Sequence, residues 1–140
     1  MPGEPEDDPE RGVDSARHKP WSTSGEGTQH FEWVPANRSL QLRSFQRLVE
    51  LLWDRGNDVL VVIGPFNTHI MAPDNLPAFT AELDAVRGWL DEQKIPTVSP
   101  PTLESTLYGD ASHPLTGGYR RVAEAIHRDA VYQEWVKDGH

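Results

Sequence analysis

Asp110 and His113 stand three positions apart in Tyr108-Gly-Asp-Ala-Ser-His-Pro114, a spacing suited to proton transfer. An aspartate placed there can turn its carboxylate onto the imidazole Nδ1–H. That fixes the tautomer, stabilises the imidazolium and leaves Nε2 to take a proton from a nucleophile. Pro114 stiffens the residue before it and suits the first turn of a following helix, holding His113 at the helix mouth. The same residues also permit a plainer arrangement, in which Asp110 or Ser112 only caps that helix and His113 is an ordinary loop residue.

Metal chemistry has less behind it. His69, Asp110 and His113 are ligand types, but there is neither a helical His-x-x-x-His pair nor a third closely spaced ligand. No metal or cofactor is expected, and His127 and His140 are expected in solvent.

These groups need a scaffold, and the hydropathy pattern describes one. Phe45, Leu48, Val49 and Leu52 recur at helical spacing between Asn37 and Arg55; Asn37 or Ser39 can cap the start, and Gly56-Asn57 can stop the helix. Val59-Leu60-Val61-Val62-Ile63 follows without polar alternation, as expected of a strand buried on both faces. Residues 64–77 read as loop, carrying Gly64, Pro65, Pro73 and Pro77. A second helix is predicted from Asp74 or Asn75 to Gln93, with Leu76, Phe79, Leu83, Val86 and Leu90 on one face. A short strand, Ile95–Ser99, precedes Pro100-Pro101. A third helix is predicted from about Pro114 with Tyr119, Val122, Ala123 and Ile126 on one stripe, and Trp135 is expected to pack back on the core.

Helix, strand, helix, strand, helix predicts an α/β layer whose strands run parallel through right-handed crossovers. Two buried-type strands make a poor sheet, because a central parallel strand needs neighbours on both edges. Further strands are therefore expected from a partner or from the rest of a larger fold, and an exposed edge would favour self-association.

Residues 1–32 hold eight acidic side chains against Arg11, Arg17 and Lys19, four prolines and few large apolar groups. Such a segment buries too little to offset its ordering entropy, so it is expected to be a disordered tail. The fold is assigned to residues 33–137. A net charge of −9 argues against nucleic acid, which asks for a clustered basic face; Glu50 and Asp54 interrupt the run Arg38, Arg43, Arg47, Arg55. There is no cysteine, hence neither disulfide nor thiolate chemistry. No apolar run has the length of a membrane span and no signal-peptide layout opens the chain, so it is expected to be soluble and cytoplasmic as written.

Asp110-Ala-Ser-His113-Pro-x-x-x-Gly118-Tyr119-x-x-x-Ala123-x-x-Ile126 resembles the last conserved block of SGNH/GDSL hydrolases. In element order the resemblance extends over residues 38–130. It implies a flavodoxin-like three-layer α/β sandwich with its N-terminal strands missing. It also implies ester hydrolysis, with Asp110 and His113 as the acid and base of a Ser-His-Asp triad. Such enzymes cleave acyl or acetyl esters of small molecules, lipids or glycans.

The Val59–Ile63 strand with Gly64-Pro65-Phe66-Asn67 is similar to that fold's fourth strand, whose proline-bearing end faces the active site. Asn67 is then a substrate-side, pocket-lining polar group, or else a turn residue. The family's nucleophile, in a Gly-Asp-Ser turn after the first strand, has no counterpart. Ser22 and Ser24 follow no apolar strand, Ser112 adjoins His113, and Ser39, Ser44, Ser99 and Ser105 read as caps or turns. Loss of a triad nucleophile costs on the order of a million-fold in turnover. The expectation is an SGNH-like esterase fragment, inactive alone, or a non-catalytic SGNH-like binding module.

Overall fold

A computed structural model describes residues 19–139. Of the expected acidic tail, residues 1–18 lie outside the described residues. Residues 19–32 do not form a detached tail. The Trp21 N–H donates to the Tyr108 carbonyl at 2.7 Å and that of Gln29 to Ile70 at 2.6 Å, while Ala72 donates back to Gln29 at 2.8 Å. Charge and proline content concealed these anchors, which are made by backbone groups and by Trp21 and Phe31.

Helix α1 spans Leu40–Asp54; Ser39 is its cap, its side chain accepting the Leu42 N–H. Gly56, at φ +77°, takes the left-handed turn that follows. Strand β1 (Val61–Val62) pairs in parallel with β2 (Thr97–Val98), Val61 beside Thr97 and Val62 beside Val98. Helix α2 (Leu76–Glu92) makes the crossover between them. Val49, Leu90 and Ile95 are buried together, with Phe45, Val59, Val61, Ile63, Val86 and Trp89 packed around them. One face of β1 is thus closed by α1 and α2.

The ladder is shorter than the apolar run that contains it. Successive strand side chains alternate between faces, and Val62 is 40% exposed rather than buried on the far side. Burial on both faces fails because no described segment covers the face from which Val62 projects; separately, β2 is the one strand paired with β1 among the described residues. Mixed α/β character with parallel strands is what the structure shows.

The third helix begins later than expected. Pro114 forms an antiparallel bridge with Tyr108, and α3 covers Thr116–Arg128. Tyr119, expected on its apolar stripe, is 54% exposed. Asp129 then interrupts the helical path and caps a short α4 (Ala130–Lys137) through the Val131 N–H. Helix α4 packs on β2, with half-buried Trp135 beside Pro96 and Thr97. No helix among the described residues is long and apolar enough to cross a membrane.

Candidate active site

The segment after β2 doubles back on itself. Leu115 donates to the Leu107 carbonyl at 2.8 Å and Gly109 to that of His113 at 2.9 Å, closing residues 109–113 into a tight loop. Tyr108 anchors its base. The ring is fully buried, its hydroxyl accepting the Leu103 N–H at 3.0 Å and donating to the Pro65 carbonyl at 3.0 Å. Burial pushes the phenol up, and the Leu103 N–H only partly offsets that. One side chain therefore joins the loops leaving β1 and β2.

Within the loop, Asp110 serves two purposes. Its Oδ1 accepts the Ser112 N–H at 2.9 Å and the His113 N–H at 2.8 Å, an aspartate turn that fixes the backbone. The same carboxylate meets His113 Nδ1, at 2.9 Å from Oδ1 and 2.8 Å from Oδ2. Partial burial raises the Asp110 carboxyl, but the Ser112 N–H, the His113 ring and the His113 N–H together outweigh it. The group ends below its ordinary value. Both side chains remain open to solvent, His113 by 72% and Asp110 by 57%. Nδ1 is engaged by the carboxylate, and Nε2 has no hydrogen-bond partner among the described residues.

Ser112 does not supply the nucleophile geometry. Its Oγ lies 3.4 Å from Nδ1, the nitrogen already facing the carboxylate, and not beside Nε2. Ser39 caps α1 and the Ser24 hydroxyl accepts from Glu26. No serine among the described residues is hydrogen-bonded to Nε2.

Asn67 is brought to this loop, though from behind. It is fully buried; its side-chain amide donates to the Asp110 carbonyl at 3.2 Å and its backbone N–H to Ala111 at 2.8 Å. Its Oδ1 is buried without a partner. It braces the loop that carries the pair and does not line a pocket wall. His69 is kept apart, its Nε2 lying 2.9 Å from the Leu103 carbonyl. No trio of His, Asp or Glu among the described residues is placed to hold a metal ion.

Two supporting residues were not singled out in the sequence. Besides Tyr108, Asn75 is 4% exposed. It accepts the Phe31 N–H at 2.8 Å and the Trp33 indole N–H at 3.2 Å, and donates to the Phe31 carbonyl at 3.0 Å. Its position at the start of α2 resembles a cap, but the side chain caps nothing. This clamp seats Phe31 and Trp33 against Phe66 and Phe79, with ring centroids 5.3–5.7 Å apart. Phe66, at the exit of β1, is thereby held from three sides.

No protein-family model, no curated protein and no solved structure matches the chain.

Proposed function

We propose that this chain carries the acid–base half of an SGNH/GDSL-like ester hydrolase, with Asp110 orienting His113 as general base for a serine supplied from outside this chain. The observation that carries the reading is the contact of Nδ1 with both carboxylate oxygens at 2.8–2.9 Å while Nε2 stays unengaged. In that arrangement Nε2 takes the serine proton, the hydroxyl oxygen attacks the ester carbonyl, and the imidazolium returns the proton to the departing alcohol. Asp110 holds the ring and faces its positive charge without taking the proton. The serine would come from a segment next to the free edge of β1 or from a partner chain.

Joining the chain to the segment encoded upstream of Met1 and assaying 4-nitrophenyl acetate tests this. Hydrolysis that falls at least about a thousand-fold in His113→Ala supports it. Hydrolysis indifferent to that substitution overturns it, as does fluorophosphonate labelling of the chain by itself.

A second reading, a non-catalytic SGNH-like interaction module, draws support from the single pairing of β1 and the 40% exposure of Val62. Absence of acetyl-ester cleavage in the joined protein, with partner capture unaffected by His113→Ala, would favour it.

A further inference from the structure

A cavity of about 220 Å³ opens between the exit of β1 and α3, lined by Gly64, Pro65, Phe66, Ser112, Pro114, Tyr119 and Val122. Ser112 and Pro114 flank His113 in the chain, and the Ser112 hydroxyl is 3.4 Å from Nδ1. The loop that carries His113 therefore borders the cavity, although the imidazole itself is not part of its lining. Apart from that hydroxyl and the Tyr119 phenol, the lining side chains are apolar.

The walls are held in place by contacts independent of any ligand. The Pro65 carbonyl accepts from buried Tyr108 at 3.0 Å. Phe66 packs against Phe31, Trp33 and Phe79. Pro114 is buried in its bridge to Tyr108, and α3 lies so close that a Cβ on Gly118 would stand 2.8 Å from Pro114 Cβ. An apolar cavity of about 150 Å³ is enough for benzene, and pre-formed apolar walls with few polar groups are the usual make-up of a small-molecule site.

We propose that this cavity receives the compact apolar group of the ester, ring-sized or short-chained, beside the loop that carries His113. The assignment of the ligand as part of an ester rests on the hydrolase reading above; the cavity's preference for a compact apolar group does not. A longer acyl chain or a polymer segment would have to run on past its open mouth. The group could belong to the alcohol or to the acyl side, and both share the same chemistry.

Amide NMR on the full ¹⁵N-labelled chain, titrated separately with benzyl alcohol and with butyramide as neutral stand-ins for the two sides, tests the proposal without any turnover. Saturable shifts at Gly64, Phe66, Ser112, Tyr119 and Val122 from either probe support it, and the stronger probe tells which side sits there. A Cβ on Gly64, a lining residue, meets nothing within 4 Å, so Gly64→Val adds bulk at the wall with no clash at Cβ; Val122→Phe adds it from α3. Loss of the shifts in Gly64→Val, with the remaining spectrum unchanged, supports the site even if Val122→Phe fails to fold. No saturable shift from either probe, or shifts centred elsewhere, overturns it. Failure here leaves hydrolysis by the joined protein untouched, whereas failure of the hydrolase reading leaves these shifts in place.

Discussion

Asn67 donates its side-chain amide to the Asp110 carbonyl at 3.2 Å and its backbone N–H to Ala111 at 2.8 Å, so the loop bearing the Asp–His pair is fastened from the exit of β1. Asn67→Ala removes the side-chain bond and leaves a void in a fully buried site. It should cost about 1–3 kcal/mol in urea unfolding and broaden the Ser112 and His113 amide signals. Unchanged stability would mean that the loop holds its shape unaided.

Tyr108→Phe keeps the buried ring and removes only the hydroxyl. The Leu103 N–H and the Pro65 carbonyl then lose a partner together, at a cost of about 1–3 kcal/mol. The wild-type phenol should ionise above its ordinary value of 10.0 in an alkaline absorbance titration. A phenol titrating at or below that value would contradict its burial.

Gly118→Ala and Gly88→Ala should move stability in opposite directions. At position 118 a Cβ would meet the Leu107 carbonyl oxygen at 2.6 Å and Pro114 Cβ at 2.8 Å, backbone and ring atoms that cannot swing aside. A loss of about 1–3 kcal/mol is expected. At position 88, inside α2, nothing lies within 4 Å, and alanine should stabilise the helix by about 0.5–1 kcal/mol. Thermal melts of the two variants check the pair.

Acid should weaken the Asp110 turn. Because the folded carboxyl sits below 3.8, folding favours its ionised form. That stabilisation is fully present above 3.8 and is lost as pH falls through the folded value. Solvent exposure of the side chain keeps the effect small. The stability difference between wild type and Asp110→Asn, measured by urea unfolding across the acid range, should shrink as pH drops below 3.8; a difference that widens instead would reverse the sign.

Local chemistry made much of this legible. Helical spacing of Phe45, Val49, Leu83, Val86 and Leu90 marks the two helices that cover β1. The three-residue step from Asp110 to His113 suffices to bring carboxylate and imidazole together, because the aspartate also turns the backbone between them. Long-range partners left no such trace. Asn67 and Asp110 are 43 positions apart, as are Pro65 and Tyr108, and Asn75 is 44 from Phe31. Nothing in an isolated Asn or Tyr announces which distant carbonyl it will meet. The strand run misled for a related reason: the apolar sequence records what could cover β1, whereas Val62 is exposed because no described segment lies there.

Hydrogen exchange ought to make a different feature, the edge of β1 that no described strand pairs, visible residue by residue. The Val61 and Ile63 amides donate across the ladder to Pro96 and Val98, each at 2.9 Å, while the Val62 amide points the other way. Slow, fast, slow is the rhythm expected along three consecutive positions. Any polypeptide that zips onto this side should convert the middle beat to slow, giving a one-residue reporter for whatever completes the sheet.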